Sequence, residues 1–410
     1  MPLHSFGRNS LHVAVVVAAQ HMFGCSASLE PSAAEQYLAG HHEFVIGGFR
    51  AESAALDAVG TVSFIAVGQS SATQPSVPLF RPNCTGTLID EDTVVTAKHC
   101  IRNFAAMNPE QQKMVFTIGS NSAEPKQWAE VVAVEAAPGD RGGFVGMGHD
   151  VGVLHLDKRI TAVAPFQLAS TSDELLGQGF VSIGYGWRDN TMKGGERLVG
   201  AGVLNARTGL AYEALFGSFE AYFESEYGPM PEDCEATAPP VITPVPAVPG
   251  QPRPPTVAPS SACLTIASAR ARYDSTLLET NDELVVGVAE QGAQPCHGDS
   301  GGPLVRAAAD GSLVSYGVVS GGEQSRSQVC DYGTVYASFP PDILQFLQAA
   351  TAWVDPCADV PAVAMCEGDR VQRCSTPAEG ERRLVSFDCQ SLGLRCVTDT
   401  ADKASCGEVE

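Results

Sequence analysis

The chain has 410 residues, of which 44% are hydrophobic and 18% charged, enough apolar sequence to bury at least one core. Its formal net charge of -22, from 47 acidic and 25 basic residues, opposes the positive field that phosphate backbones and anionic lipid surfaces require. The composition therefore argues against a nucleic-acid partner and favours a globular enzyme with an appendage.

Residues 1–27 have the pattern of an export signal. Arg8 precedes an apolar run over 11–19, too short for a permanent membrane anchor, and small residues follow at 25–27. The string Met22 to Cys25 also resembles a bacterial lipoprotein box, in which Cys25 is lipidated after cleavage. Whether Cys25 is removed or lipidated, 12 of the 13 cysteines remain available for disulfides. This even number supports export but does not separate secretion from lipidation. The alternative, a buried strand over 11–19, has no structural element before it.

Residues 28–44 are polar and Ala-rich, which indicates a short propeptide. From Val45 onward, short β-branched and aromatic runs alternate with Gly, Pro, Asn and Asp, a pattern that predicts an all-β barrel or sandwich. The predicted strands cover 60–68, 93–97, 114–118, 128–134, 151–156, 180–185, 197–204, 282–288, 304–307, 313–320 and 334–339.

The Pro-rich stretch 229–259 holds 11 of the 27 prolines and cannot form a regular ladder, which predicts an extended surface insertion. Cys234 and Cys263 flank it, so a disulfide between them would tie its ends together. The aromatic run 216–227 before it is predicted to be a partly buried helix or strand.

A single clear helix begins at Pro340 and closes the main domain, since apolar residues recur after it at helical spacing. Residues 355–410 follow with six cysteines, which predicts a small disulfide-stapled module because so short a segment buries little apolar surface alone. Six cysteines allow 15 pairings, and the sequence does not choose among them.

The string Cys296-His297-Gly298-Asp299-Ser300-Gly301-Gly302 carries the most chemical information. Glycines on both sides of Ser300 permit a tight turn that points backbone amides inward, where they stabilise a developing oxyanion. A serine hydroxyl also needs a base. His99 follows a β-branched strand and precedes Cys100, and Asp150 leads into another strand.

These three segments resemble the catalytic signatures of the chymotrypsin-like (trypsin) serine peptidases, in that family's chain order of His, Asp and Ser. The resemblance covers about residues 45–354 and implies an all-β fold of two six-stranded antiparallel β-barrels with a C-terminal helix. It implies that Ser300 is the nucleophile, His99 the general base and Asp150 the residue that orients the histidine. The amides of Gly298 and Ser300 would form the oxyanion hole. Separately, each motif also fits an ordinary turn or a buried structural patch.

The resemblance extends to residues that the chemistry does not directly need. It implies a disulfide between Cys84 and Cys100 that anchors the histidine loop, and one between Cys296 and Cys330 behind the specificity pocket. The first would close about 16 residues and contribute roughly 3 kcal/mol on the chain-entropy model.

Val45-Ile46-Gly47-Gly48 resembles the mature terminus that the family exposes by cutting a precursor. The freed ammonium of Val45 would then insert beside Asp299, which implies an inactive zymogen activated by cleavage after Phe44. A Gly-Gly turn before a strand is the alternative interpretation.

The residues implied in substrate binding depart from the better-known members of the family. Gln294 stands where trypsin-like members carry an aspartate, and Thr334 occupies a pocket-wall position that is commonly glycine. The edge segment Ser320-Gly321-Gly322 would pair with the substrate backbone, with Gly321 in place of the usual tryptophan. Cleavage after basic residues is therefore not expected, and a polar or medium-sized side chain fits better.

The principal prediction is a secreted or cell-surface serine endopeptidase that acts on a protein or peptide substrate and needs no cofactor. The histidines show no zinc-like spacing, so no metal is expected. A catalytically silent binding protein on the same fold is one alternative, against which the intact triad argues. A protein whose tail binds a protein or cell-surface ligand is another, and only lipidation of Cys25 would place it on a membrane.

Overall fold

The computed structural model describes residues 49–66, 81–104, 106–108, 111–139, 148–188, 193–231, 261–287, 294–323, 330, 332–353, 364–375, 383–398 and 404–407. The predicted signal, propeptide and Val45 terminus lie outside these residues, as do residues 232–259 of the Pro-rich insertion. Within the described ranges, no helix combines the length and apolar character needed to cross a membrane.

The first barrel is a closed, six-stranded antiparallel sheet. Its strands follow β1 (Phe49–Arg50) in the chain and are β2 (Val59–Ala66), β3 (Arg81–Asp90), β4 (Thr93–Thr96), β5 (Gln112–Ile118), β6 (Gln127–Ala136) and β7 (Gly152–Leu156). They close in the order β2-β3-β4-β7-β6-β5. The small interior requires glycine at position 60, where a Cβ atom would lie 2.2 Å from the Thr117 carbonyl oxygen.

The second barrel has the same strand count and is also antiparallel. Its strands follow β8 (Gln167–Leu168) and are β9 (Gly179–Gly184), β10 (Leu198–Ala206), β11 (Glu283–Val286), β12 (Pro303–Ala307), β13 (Leu313–Glu323) and β14 (Tyr332–Ser338). The order β10-β11-β14-β13-β12-β9 closes because β9 also pairs with β10. The short strands β1 and β8 add to β10 and β13. The predicted fold of two six-stranded antiparallel barrels is confirmed.

Five α-helices accompany the barrels in the described part of the chain. They are α1 (Lys98–Ile101), α2 (Ala211–Phe216), α3 (Phe219–Tyr227), α4 (Ser261–Asp274) and α5 (Pro341–Thr351). The aromatic run 216–227 is therefore helical, and its rings pack with Tyr212 and Tyr273 into a separate cluster beside β11. Helix α5 is the predicted C-terminal helix, and it buries Ile343 and Leu347 against Val95 and Val153 of the first barrel.

The C-terminal segment forms a small β-module that is joined to the first barrel by packing. Its strands are β15 (Met365–Glu367), β16 (Arg370–Ser375), β17 (Arg383–Asp388), β18 (Arg395–Thr398) and β19 (Ala404–Gly407). Disulfides join Cys366 to Cys396 and Cys389 to Cys406, and Cys374 is also disulfide-bonded. The apolar residues of β16 and β17 belong to the same core cluster as those of the first barrel, so the module completes that core.

Candidate active site

His99 lies where the first barrel faces the second. The β-branched residues of β4 form a fully buried strand, Ala97 extends it (φ −77°, ψ 143°), and α1 then carries the His99 side chain. A disulfide joins the neighbouring Cys100 to Cys84 on β3, which fixes the helix to the sheet. The imidazole is therefore held by a short, braced segment while 26% of its side chain remains exposed.

Asp150 lies beside His99 because β4 and β7 are neighbours in the barrel, with Thr96 opposite Gly152. Its side chain is 1% exposed. One carboxylate oxygen accepts the His99 backbone N–H at 2.9 Å, and the other lies 2.8 Å from Nδ1 of the ring. The Ser320 hydroxyl donates to that second oxygen at 2.7 Å.

The pKa of Asp150 reflects these opposing influences. Burial alone would raise it, but the hydrogen bonds and charge of His99, together with the Ser320 hydroxyl, hold the pKa of the carboxyl below its usual range. An ionised carboxylate accepts only, so His99 carries its ring proton on Nδ1 and presents Nε2 as a base.

Ser300 belongs to the second barrel and lies in the tight turn before β12. Gly301 has φ +81°, and a Cβ atom there would lie 2.4 Å from the Thr85 carbonyl oxygen and 2.7 Å from the Ala97 nitrogen. Only glycine permits this approach of the serine loop to the segment that carries His99. The Thr85 N–H also donates to the Ser300 carbonyl at 2.8 Å, so the two barrels are joined directly at the serine.

The predicted oxyanion-hole amides belong to the same loop. Gly298 has φ +100°, a conformation that favours glycine, and Cys296 beside it forms a disulfide with Cys330. In the described part of the chain, neither the Gly298 N–H nor the Ser300 N–H donates to a protein acceptor. The N–H groups of Gly298 and Ser300 are therefore two amide donors that a ligand next to the Ser300 side chain could use.

Asp299 points away from the amides and into the protein, where it is 1% exposed. Its carboxylate oxygens accept the N–H groups of Gly186 at 2.7 Å and Cys296 at 2.8 Å. Glycines make room for it, since a Cβ atom on Gly184 would lie 1.9 Å from one oxygen. Burial raises the pKa of Asp299 to about 6, although the two backbone hydrogen bonds act in the opposite direction.

The predicted substrate-binding residues meet near the β13–β14 edge. Gly322 lies opposite Thr334 in the register, and a Cβ atom on Gly322 would be 3.9 Å from the Thr334 hydroxyl oxygen. Thr334 and Gln294 are buried, and Gly321 is partly exposed beside Ser320. His297 is exposed, and its ring packs on Trp187 at a centroid distance of 4.6 Å.

A cluster of His99, Cys84 and Cys100 brings three potential metal-ligand atoms within 4.8 Å of one another. The two sulfur atoms are bonded to each other, so neither is a thiolate that could bind a metal ion. This cluster is therefore the histidine with its anchoring disulfide.

The side chains of three predicted residues lie outside the described part of the structure. Val45 precedes the described residues, Cys234 lies in the gap after residue 231, and the side chain of Cys263 is not described. The activation terminus and the disulfide across the insertion therefore stay predictions.

The trypsin family model matches residues 62–201 and 257–341, which is more than half of the chain and includes His99, Asp150 and Ser300. The chain belongs to the trypsin family. The interval between the two matched segments contains the helices α2 and α3 and most of the Pro-rich insertion, an elaboration of the trypsin fold between β10 and β11. A comparison with curated proteins finds no match.

Two features of the site were not predicted from the sequence. Ser320 was expected only at the substrate edge, whereas its hydroxyl also donates to Asp150, a residue 170 positions away. Gly184 and Gly186 form the space around Asp299. A glycine pair around Tyr185 was visible in the sequence, but nothing local connected it with a carboxylate more than 100 residues later.

Proposed function

We propose that the protein is a secreted serine endopeptidase that hydrolyses peptide bonds through an acyl-enzyme on Ser300. The observation that carries the proposal is the His99–Asp150 pair, in which Nδ1 and the carboxylate oxygen are 2.8 Å apart. The Ser300 turn contacts the segment at the end of β4 that leads into His99. The chain's membership of the trypsin family supports the same assignment in general terms, as a peptidase.

In the proposed mechanism, the Ser300 hydroxyl loses its proton to Nε2 of His99 as its oxygen attacks the substrate carbonyl carbon. The resulting imidazolium is stabilised by Asp150, whose carboxylate stays ionised. The developing oxyanion accepts hydrogen bonds from the Gly298 and Ser300 amides. His99 then returns the proton to the leaving amine as the C–N bond breaks, and water repeats these steps to release the acid.

Activation after Phe44 belongs to the same proposal. Asp299 is buried with two backbone donors and, among the described residues, no cation bonds its carboxylate, so a new ammonium at Val45 would satisfy it. The strand register supports the required reach. Arg50 pairs with Leu198 and Leu198 with Gly184, which adjoins Asp299, so about 10 Å of sheet separates Arg50 from Gly184. The five residues 45–49 extend up to roughly 17 Å.

The arrangement at the substrate edge supports a specificity different from that of enzymes that cleave after Lys or Arg. Among the described residues near the pocket, Gln294 and Thr334 are neutral, so no fixed anion attracts a basic side chain. Gly321 and Gly322 leave the edge open for an extended substrate segment. We therefore propose a polar or medium-sized side chain on the acyl side of the scissile bond.

The domain limits also remain proposals: a signal over 1–27, a propeptide over 28–44, the peptidase over 45–354 and the module over 355–410. The disulfides of barrels and module support export, because such bonds persist in oxidising compartments.

The function is tested by exposing the chain cleaved after Phe44 to a fluorophosphonate, which labels activated serines covalently. We expect labelling of the parent protein and none of Ser300→Ala. Ser312→Ala changes a serine in a surface turn before β13 and serves as the matched control, which should label like the parent. Labelling absent from the cleaved parent, or retained in Ser300→Ala, would refute the proposed function.

A further inference from the structure

Thr85 contacts the oxyanion loop through both its backbone and its side chain. It lies on β3 of the first barrel and is fully buried. Its backbone N–H donates to the Ser300 carbonyl at 2.8 Å, and its hydroxyl donates to the Gly298 carbonyl at 2.9 Å. One residue of the first barrel thus holds the carbonyls of both residues whose amides would stabilise the oxyanion.

The Thr85 hydroxyl both donates and accepts a hydrogen bond in this position. While it donates to Gly298, it accepts the N–H of Tyr185 at 3.2 Å, and Tyr185 precedes Gly186, which donates to Asp299. The hydroxyl therefore connects the two backbone segments that surround Asp299. A hydroxyl has one proton and two lone pairs, so this arrangement fixes the direction of its single donor.

We infer that Thr85 is a positioning residue for the oxyanion hole and that its hydroxyl, by holding the Gly298–Asp299 peptide, restrains the residue whose N–H would face the oxyanion. This inference rests on the proposed function. Gly298 has φ +100°, and its own N–H has no protein acceptor within the described residues. The Thr85 hydroxyl bonds the Gly298 carbonyl, which belongs to the Gly298–Asp299 peptide, so it restrains the Gly298 N–H of the preceding peptide through the Gly298 Cα atom. A donor helps the transition state only if it points at the oxyanion before the reaction begins.

The structure also offers a matched control on the same strand. Thr87 lies two residues further along β3 and is equally buried, and its hydroxyl has no hydrogen-bond partner among the residues that the structure describes. Replacing Thr87 by valine removes a hydroxyl that makes no bond, whereas replacing Thr85 leaves the Gly298 carbonyl and the Tyr185 N–H unpaired.

The test compares fluorophosphonate labelling of Thr85→Ala, Thr85→Val, Thr85→Ser and Thr87→Val, each in the chain cleaved after Phe44. We expect the maximal labelling rate of the alanine and valine variants to fall about tenfold, less than the effect of deleting an oxyanion-hole donor. The probe concentration that gives half the maximal rate should stay unchanged. Thr85→Ser should restore the rate, and Thr87→Val should match the parent.

Each result bears on the inference separately from the proposed function. If the parent is labelled and Thr85→Ala reacts at the parent rate, the hydroxyl has no positioning role. The same conclusion follows if Thr85→Ser is as slow as Thr85→Ala, because the loss would then come from packing. Near-ultraviolet circular dichroism identifies variants that fold, and the alanine and valine variants give two independent chances of a folded protein without the hydroxyl. If the cleaved parent is not labelled, the proposed function fails and the inference fails with it.

Discussion

The buried carboxylate of Asp299 makes the stability of the uncut chain depend on pH in a predictable direction. In the uncut form, burial raises the pKa of Asp299 to about 6 from its ordinary value of 3.8. A carboxyl group whose pKa is higher in the folded than in the unfolded state binds its proton more tightly when folded. The contribution of Asp299 to the free energy of unfolding is therefore fully present below about pH 4 and is lost as the pH rises through about 6.

The expected size of this effect follows from the same two values. A difference of about two pKa units corresponds to roughly 3 kcal/mol of unfolding free energy lost from this one group between pH 4 and pH 7. Because Asp299 is only 1% exposed, solvent screening does little to reduce the effect. Asp299→Asn removes the ionisation. It also loses one of the two backbone hydrogen bonds, since an amide has a single acceptor oxygen, at a cost of about 1 kcal/mol.

The assay is urea unfolding of the uncut chain and of its Asp299→Asn variant at intervals from pH 4 to pH 7, both carrying Ser300→Ala to prevent self-cleavage. The variant should be less stable than its parent at pH 4 and more stable at pH 7. In the chain cleaved after Phe44, the Val45 ammonium should stabilise the ionised carboxylate, so the parent should no longer lose stability relative to the variant as the pH rises. A stability difference that stays constant from pH 4 to pH 7 in the uncut chain would refute the assigned environment of Asp299.

Two further predictions concern contacts away from the reacting atoms. His149, the residue before Asp150, has φ +58° and bonds Asp282 of the second barrel at 2.9 Å, so Asp282→Asn should lower the unfolding free energy by about 1 kcal/mol. In thermal unfolding, His149→Asn should lower the melting temperature less than His149→Val, since asparagine tolerates positive φ and valine does not. Equal decreases in melting temperature would count against this account. Arg373 of the C-terminal module is partly buried near Glu130, so Arg373→Ala should lower stability by about 1–2 kcal/mol, whereas the exposed Arg395→Ala should change it by less than about 0.5.

The barrels were predictable from the sequence because their signal is local and repeated. β-branched runs mark β4 and β7, and turn residues separate them, so strand positions agree with the structure to within a few residues. Strand β3 was not among the predicted strands, since Asn83, Cys84 and two threonines dilute its apolar pattern. The helix α4 was missed because its sequence, Ser261–Asp274, has no strong apolar periodicity.

In the candidate site, too, the local features were predictable from the sequence and the long-range contacts were not. The types and chain order of His99, Asp150 and Ser300 are local features of three short strings, and the family model covers all three. The contacts that position them are long-range: Ser320 reaches Asp150 across 170 positions, and Thr85 reaches Gly298 across 213. No periodicity records such pairs, because each depends on the closure of two barrels against each other.

The division of the site between the barrels explains which part of it activation would control. The His99–Asp150 pair belongs to the first barrel, where β4, β7 and the Cys84–Cys100 disulfide hold it, and the Ser320 hydroxyl of the second barrel adds one hydrogen bond to Asp150. The proposed oxyanion amides, those of Gly298 and Ser300, lie in the second barrel beside Asp299, whose carboxylate accepts two backbone N–H groups. On the proposed mechanism, a new ammonium at Val45 would therefore act on the loop of Gly298 and Ser300 and leave the His99–Asp150 pair as it was. The proposed precursor would already contain a competent base and would lack only the stabilised form of the loop in which Gly298 and Ser300 point at the oxyanion.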